Sequence, residues 1–242
     1  MPTPKTIPIL GISVHAVTMD ETLALIEGYM DAPRVHQIAT VNPEFVMTAQ
    51  SDAAFRHTLL TADLCLPDGI GLLYAARRLG QTLPERVPGS ELVYRLAERA
   101  TEKGWSLFLL GAGPGVAEEA AQLLRQRYPG LRIAGTYAGT PTVEENDDIV
   151  RRINDSGATL LFVAYGAPKQ DKWVECNRTN LTTVRVAMGV GGSLDFITGR
   201  AVRAPQWAQD AGLEWLYRLY KEPWRWRRML ALPRFAWRVM IR

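Results

Sequence analysis

The chain has 242 residues, 47% of them hydrophobic, and its formal net charge at pH 7 is +3. These values fit one globular domain of ordinary size with room for an appendage, and a nearly neutral body argues against general nucleic-acid affinity through the whole domain. The two cysteines, Cys65 and Cys176, lie far apart without ligand-like spacing, which argues against a disulfide framework and a zinc site. Neither a secretory signal nor a run of about 20 apolar residues is visible, so no membrane span is predicted.

Apolar, β-branched runs alternate with segments of helical period along most of the chain. Strand segments are predicted at 35–41, 64–67, 105–113, 131–139, 158–168 and 184–192, and helices at 43–62, 70–80, 116–128, 142–157 and 169–177. A further helix begins at Thr18, whose spacing to Glu21 is that of a capping box. This order predicts an α/β fold, a Rossmann-like parallel sheet with helices on both faces.

The composition changes near Arg200, because five of the seven tryptophans lie at or after Trp207. From Gly212 onward eight Lys and Arg stand against two Glu, so this tail carries +6 and the rest of the chain −3. We therefore predict an α/β domain over 1–199 and a helical, basic, Trp-rich appendage over 200–242.

Four basic residues of the tail are spaced 3, 4 and 3 apart, which places them on one helical face: Arg218, Lys221, Arg225 and Arg228. Pro223 interrupts this basic stripe, so two short helices are predicted. A basic face beside Trp-rich apolar surface is typical of a helix that lies in a membrane interface. Two alternatives stay open: a packed C-terminal subdomain with tryptophans in its core, and a single-stranded nucleic-acid binder.

In parallel sheets, ligands bind beyond the carboxyl ends of the strands. The residues at those ends are Thr40–Asn42, Pro67–Gly69, Gly111–Gly113, Tyr137–Gly139, Gly166–Gln170 and Gly189–Gly192. Asp68 is the one acid among those of the first half, and it suits a general base acting on a hydroxyl or an N-cap of the next helix. Thr40 and Asn42 suit the orientation of a substrate oxygen or, alternatively, a cap for the helix that begins at Pro43.

The segment GAGPG at 111–115 follows a strand and opens a helix, a setting for phosphate at a helix N-terminus. It lacks the third glycine of the dinucleotide fingerprint, and the next strand ends without an acid for a ribose. Both observations argue against a nucleotide-dependent oxidoreductase. A plain tight turn is the alternative for this segment.

Two further strand ends carry polar residues. Lys169 and Gln170 suit contacts to a phosphate and a sugar hydroxyl, or else they form a solvated first helical turn. Gly191 and Gly192 allow a ligand to approach the backbone closely with Asp195 nearby, or else they form a strained turn beside an exposed acid. The three histidines show no metal-ligand spacing.

Seven blocks of the sequence, in order, resemble those of the WecG/TagA/CpsF bacterial glycosyltransferases: ILGISVHAVTMDE, TVNPEFVMTAQ, ADLCLPDGIGLLYAARRLG, ERVPGSEL, FLLGAGPGVAEEAAQLL, GAPKQDKW and GVGGSLDFITGRAVRAPQW. The resemblance covers nearly the whole chain and implies an inverting enzyme that needs no cofactor or metal. Such an enzyme moves a sugar from a UDP-sugar, typically UDP-N-acetylmannosamine or its uronate, to a polyprenyl-diphosphate-linked sugar. The family makes wall teichoic acid linkage units, enterobacterial common antigen, and capsular or exopolysaccharides.

The same resemblance implies roles for residues of this chain. Asp68 matches the family's proposed base, while Thr40, Asn42 and Gln170 match its substrate-facing residues, and Arg86 matches the arginine of a flexible R-x-x-G segment. The nucleotide and donor are expected at Gly111, Gly113, Tyr137, Gly166, Lys169, Gly191, Gly192 and Asp195.

The resemblance also implies where the protein acts and with which partners. The basic stripe of the tail would meet the membrane or the acceptor diphosphate, so the expected location is the cytoplasmic face of the cell membrane. The expected partners are a UDP-sugar, the polyprenyl-diphosphate-linked acceptor and the membrane surface. A homo-oligomer is a further expectation, and nucleic acid is not expected.

Overall fold

We describe the protein from a computed structural model that covers residues 4–202, 204–205, 208, 214–221 and 226–241, without the side chains of residues 214, 218, 221, 227 and 228. The predicted basic stripe therefore lies outside the described residues: the whole of Arg225, and the side chains of Arg218, Lys221 and Arg228.

The described strands are β1 (Thr6–Ile9), β2 (Ile12–His15), β3 (His36–Val41), β4 (Leu64–Pro67), β5 (Ser106–Gly111), β6 (Arg132–Tyr137), β7 (Leu160–Ala164) and β8 (Val186–Gly189). Six of them form one parallel sheet in the order β4-β3-β8-β7-β5-β6, which confirms the predicted α/β fold. The other two, β1 and β2, form an antiparallel hairpin that the sequence analysis did not predict.

The described helices are α1 (Met19–Met30), α2 (Pro43–Thr48), α3 (Ala53–Thr61), α4 (Ile70–Arg78), α5 (Gly89–Lys103), α6 (Val116–Arg127), α7 (Val143–Ser156), α8 (Lys169–Asn177), α9 (Ser193–Ile197), α10 (Glu214–Lys221), α11 (Trp226–Met229) and α12 (Ala231–Met240). The capping box of Thr18 and Glu21 is confirmed at the start of α1. The single helix predicted over 43–62 is wrong. It is two helices, because Asp52 caps a new one by accepting the backbone N–H of Phe55 at 2.9 Å.

Helices cover both faces of the sheet, so its strands are buried on both sides except for the edge strand β6, which is partly exposed. Ile38, Leu66 and Phe162 point to the face that α1, α5 and α6 cover. On the opposite face, Val41 packs with residues of α2, α3 and α4, and Val163 packs with residues of α7 and α8. The sheet therefore leaves its strand ends as the place where polar side chains from several elements meet.

The hairpin β1–β2 lies beside the edge strand β4. The backbone N–H of Cys65 donates to Nδ1 of the buried His15 at 2.9 Å. Burial lowers the pKa of His15, which suits a neutral ring with Nδ1 as acceptor. This histidine therefore has a structural role in joining the hairpin to the sheet.

The last helix, α12, packs onto the body against α2 and α4. Its residues Phe235 and Val239 are buried in the apolar cluster that contains Phe45 and Leu72. Trp237, by contrast, is 63% exposed. The end of the tail is therefore docked through the buried side chains of Phe235 and Val239 and not through Trp237. The division at residue 200 stays a prediction.

Every helix within the described ranges is too short or too polar to cross a bilayer.

Replacing Phe235 by Ala should release α12 from the body. Loss of a buried phenyl group from a core costs about 3–5 kcal/mol. A short helix that depends on packing for its stability should not remain docked after such a loss. We expect faster tryptic cleavage at Arg234 and Arg238, measured by limited proteolysis. The matched control is Trp237→Ala, two residues away and exposed, which should cleave like wild type. Equal cleavage of the Phe235→Ala and Trp237→Ala proteins would contradict the docking of α12.

Candidate active site

Two neighbouring strands, β3 and β4, bring three of the four residues predicted for catalysis together at the carboxyl ends of the sheet. β3 lies between β4 and β8, and its parallel register pairs Val41 with Pro67. Asn42 and Asp68 therefore follow at adjacent strand ends, with Thr40 one residue inside β3. The backbone N–H of Asp68 donates to the carbonyl oxygen of Val41 at 2.7 Å, which extends the ladder by one step.

The carboxylate of Asp68 accepts a hydrogen bond from the backbone N–H of Gly89 at 3.2 Å. Gly89 is the first residue of α5, where a helix leaves its N–H groups without intrahelical partners and its dipole favours negative charge. The alternative that Asp68 caps the next helix is wrong, because Gly69 precedes α4 and no side chain caps it. Asp68 is thus a half-buried carboxylate directed at a helix N-terminus.

Thr40 lies against the same glycine. A Cβ atom on Gly89 would come within 2.8 Å of Cγ2 and 3.1 Å of Oγ1 of Thr40. A side chain at position 89 would therefore displace Thr40, which is only 8% exposed. Thr40 and Asp68 converge on the first residue of α5.

Asn42 has a structural task at the same edge. Its Oδ1 accepts the backbone N–H of Phe45 at 3.0 Å, which confirms the capping alternative for this residue. The next residue, Pro43, fills the space beside the glycines that follow Asp68. A Cβ on Gly69 would lie 3.2 Å from its Cδ, and one on Gly71 2.8 Å from its Cγ.

Gln170 lies beneath the glycine turn that follows β8. Its side chain is 1% exposed, and its Oε1 accepts the backbone N–H of Gly191 at 3.0 Å. The Gln170 amide also fills the place that a Cβ on Gly189 would need. The resemblance places Gln170 toward substrate, but in this structure its side chain is buried and fixes the turn. The solvated-turn alternative is also wrong for Gln170.

The residues around this turn differ in exposure. Lys169, at the start of α8, is exposed and makes no ion pair with the described residues. Gly191 adopts a φ of +52°, so the backbone is in the left-handed region that favours glycine. Gly192 is exposed, and Asp195 is half-buried in the first turn of α9. Gly191, Gly192 and Asp195 follow β8, one strand away from Thr40, whereas Lys169 follows β7, two strands away.

The other predicted donor-binding residues lie across the ends of β7, β5 and β6. Gly111 approaches the ring of Tyr165 so closely that a Cβ would lie 2.9 Å from its Cδ1. Tyr137 ends β6, and the guanidinium of Arg152 lies 4.7 Å from the centre of its ring. Gly113 is exposed in the turn before α6.

Tyr165, beside the predicted Gly166, was missed by the sequence analysis. Its hydroxyl is buried without a hydrogen-bond partner among the described residues, and burial raises its pKa. A Cβ on Gly139 would lie 3.2 Å from this hydroxyl. The signal available in the sequence was its position directly after a buried strand and before Gly166. In the structure, Gly166 has a φ of +74°.

Asp171, directly after Gln170, is a buried acid that the sequence analysis also missed. It is 1% exposed, and neither carboxylate oxygen has a hydrogen-bond partner among the described residues. Burial raises the pKa of Asp171 to about 7. The nearby Gln170 amide lowers this pKa only in part, and it makes no hydrogen bond to the carboxylate. Gln37 donates to the Asp171 carbonyl oxygen at 2.8 Å and has an unused Oε1 acceptor. A protonated Asp171 would bring a donor into this region.

Within the described ranges, no three His, Cys, Asp or Glu side chains are grouped so that they could hold a metal ion. Metal independence remains a prediction.

Comparison with known proteins gives consistent matches. The family model for the glycosyl transferase WecG/TagA/CpsF family matches residues 7–242. One similar protein is the N-acetylglucosaminyldiphosphoundecaprenol N-acetyl-beta-D-mannosaminyltransferase of Bacillus subtilis (strain 168), 34% identical over 212 residues, or 88% of this chain and 82% of that one. The protein of the same name in Staphylococcus aureus (strain MRSA252) is 32% identical over 235 residues, or 96% of this chain and 91% of that one.

The free energy of unfolding of the wild type should fall as pH rises, and replacing Asp171 by Asn should remove this fall. Because folding raises the pKa of Asp171 from 3.8 to about 7, its stabilising contribution is complete below the lower value and is lost as pH rises through the higher one. Each pKa unit corresponds to about 1.4 kcal/mol, so the wild-type free energy of unfolding should fall by at least about 1 kcal/mol more than the variant's between about pH 5 and about pH 8.

Urea titrations at these two pH values measure the effect. The matched control is Asp155→Asn, which changes an exposed acid of α7 and should keep the wild-type pH dependence. Identical pH dependence in the wild-type and Asp171→Asn proteins would show that Asp171 is not protonated in the folded protein near neutral pH.

Proposed function

The chain belongs to the WecG/TagA/CpsF family of glycosyl transferases, and from this we propose that it transfers N-acetylmannosamine or a related hexose from a UDP-sugar to a polyprenyl-diphosphate-linked N-acetylglucosamine. The observation that carries the proposal is the similarity to N-acetyl-beta-D-mannosaminyltransferases over most of the chain, named for an N-acetylglucosaminyldiphosphoundecaprenol. A strand-end carboxylate and glycine-rich turns at one edge of the sheet support it. The product would serve the synthesis of a cell-surface polysaccharide or teichoic acid.

Asp68 is the proposed general base. A single displacement needs one group that takes the proton of the acceptor hydroxyl while that oxygen attacks the anomeric carbon from the side opposite UDP. The half-buried carboxylate of Asp68 is supported in this role by its place at the strand end and by the Gly89 N–H, which fixes one carboxylate oxygen at 3.2 Å. Such a displacement inverts the anomeric carbon.

The residues around Asp68 divide into two groups. Thr40 is adjacent to the same helix N-terminus and is the proposed partner of Asp68 in orienting the acceptor hydroxyl. Asn42 and Gln170 already use their amide oxygens on backbone N–H groups at 3.0 Å. We assign to Asn42 the capping of α2 after β3, and to Gln170 the attachment of α8 to the turn after β8, because their loss would free the turns on which the site is built.

The UDP leaving group is proposed to lie along the glycine-rich turns after β8, β7 and β5. Lys169 is exposed there without an ion pair to the described residues, so its charge is available for a phosphate. A fixed cation and backbone N–H groups can stabilise the developing negative charge in place of a metal ion. Individual contacts by Gly191, Gly192 and Asp195 remain part of this proposal.

The outer face of α12 is the proposed membrane contact of the described residues. Trp237, Met240 and Ile241 are 63%, 58% and 64% exposed, and Arg234 and Arg238 lie on the same helix and are exposed. Apolar and aromatic groups beside arginines suit the interface of an anionic membrane, where the lipid-linked acceptor resides. We propose that this membrane surface is the cytoplasmic face of the cell membrane, as the family resemblance implies. A homo-oligomer stays a prediction.

Neither a nucleic-acid binder nor an oxidoreductase is supported by a specific observation of the site.

A screen of UDP-sugars for UDP release, with a polyprenyl-diphosphate-N-acetylglucosamine analogue as acceptor, tests the function. We expect transfer with UDP-N-acetylmannosamine in the presence of EDTA. The Asp68→Asn protein should transfer about 100-fold or more slowly, the usual scale for loss of a general base, while donor binding is retained.

The matched control is Asp155→Asn, which neutralises an exposed acid of α7 outside the proposed site and should transfer like wild type. A folded Asp68→Asn protein with wild-type turnover would rule out Asp68 as the base. Activity that is lost in EDTA and restored by magnesium or manganese would rule out metal independence.

Vesicle sedimentation tests the membrane contact. Arg234→Glu combined with Arg238→Glu turns two attractions of about 1 kcal/mol each into repulsions, so binding to anionic vesicles should weaken by at least about 10-fold. High salt should weaken wild-type binding in the same direction, since it screens surface charge. The control combines Arg132→Glu with Arg151→Glu, which makes the same charge change on β6 and α7. These elements lie at the opposite side of the sheet from β4 and α12, so this variant should bind like wild type. Unchanged binding of the α12 variant would refute this contact.

A further inference from the structure

The segment that connects α4 with α5, residues 79–88, ends beside the proposed base, Asp68. Gly89 directly follows it, and the N–H of Gly89 is the group that holds Asp68 at 3.2 Å. Two residues earlier, the backbone N–H of the fully buried Val87 donates to the carbonyl oxygen of Pro67 at 2.9 Å. The end of this segment therefore runs beside the end of β4, and the backbone N–H groups on both sides of Pro88 attach it to Pro67 and to the carboxylate of Asp68.

A third attachment lies farther back in the segment. Oε2 of Glu85 accepts the backbone N–H of Met19 at 3.1 Å. Met19 is the first residue of α1, whose capping box uses Thr18 and Glu21 for other groups of the same helix end. The Glu85 carboxylate thus satisfies one more of the N–H groups that a helix leaves unpaired, at the end where the dipole favours negative charge.

Two helices to which this segment is attached, α1 and α5, also contact each other. On their outer surfaces, Arg95 of α5 pairs with Asp20 of α1 at 3.3 Å, and Arg99 pairs with Glu27 at 3.0 Å. These pairs join α1 to the middle of α5, and residues 85–89 connect the start of α1 with the start of α5. A bond at Glu85 can transmit the position of α1 to the N–H of Gly89.

We propose that Glu85 is a positioning residue for the transfer reaction, which holds residues 85–89 so that the Gly89 N–H orients the carboxylate of Asp68. This inference rests on the proposed function for its catalytic consequence. Arg86 lies between the fixed points at Glu85 and Val87, so the same attachment orients the arginine that matches the family motif. Glu85 itself acts through the backbone and does not touch the reacting groups.

Glu85→Ala removes the acceptor of the Met19 N–H and should lower kcat by roughly 10-fold, because small displacements of a catalytic group are costly. KM for the UDP-sugar should stay near the wild-type value. Glu85→Gln keeps an acceptor oxygen and loses only the charge–dipole part, so its kcat should recover to within about 5-fold of wild type. The control Glu98→Ala removes an exposed glutamate of α5 and should be neutral.

Hydrogen exchange of the Val87 and Gly89 amides gives a readout that does not depend on activity. Both amides should exchange faster in Glu85→Ala than in wild type, and at the wild-type rate in Glu98→Ala. A Glu85→Ala protein with wild-type kcat, or with lowered kcat and unchanged exchange at Val87 and Gly89, would overturn the proposal. If the wild type transfers no sugar at all, the proposed function fails. The exchange measurement then decides alone: faster exchange supports the attachment, and unchanged exchange overturns it.

Discussion

The parallel pairing of β3 with β4 on one side and β8 on the other is the constraint on which the site depends. Because these strands are parallel, their carboxyl ends lie at the same end of the sheet, and the residues that follow them meet there. The ladder continues one residue beyond β4, because Asp68 donates to the carbonyl oxygen of Val41. The N–H of Gly89 donates to the carboxylate of Asp68 and so helps to hold it in a defined direction.

Glycine supplies the close approaches around this edge. At Gly89 the missing Cβ leaves room for Thr40, and at Gly189 it leaves room for the amide of Gln170. Each of these contacts ties a strand end to a helix, so the backbone of the site is held by packing as well as by hydrogen bonds. The amides of Asn42 and Gln170 hold backbone N–H groups, whereas Asp68 and the exposed Lys169 are among the charged groups that we propose for acceptor and donor.

The sequence predicted the parallel sheet because long apolar runs alternate with amphipathic helices, and it predicted Asp68 because few acids follow a strand. It did not predict the hairpin β1–β2, whose strands have four residues each and a turn with positive φ at Leu10 and Gly11. Contacts between distant residues were also invisible, since spacing along the chain does not show that Glu85 reaches Met19. Polar residues in the first turn of a helix predict exposure, so the burial of Gln170 and Asp171 follows only from how α8 packs on the sheet.

A carboxylate that activates the acceptor hydroxyl for a single displacement, without a covalent intermediate, has a stereochemical consequence. The UDP-hexose donor is α-linked, so direct attack on its anomeric carbon yields a β-linked product. The anomeric configuration of the purified product, measured by nuclear magnetic resonance, tests this role for Asp68 most directly. A β-linkage is the predicted result. An α-linkage, which means retention, would contradict a mechanism in which Asp68 acts as the base of one displacement.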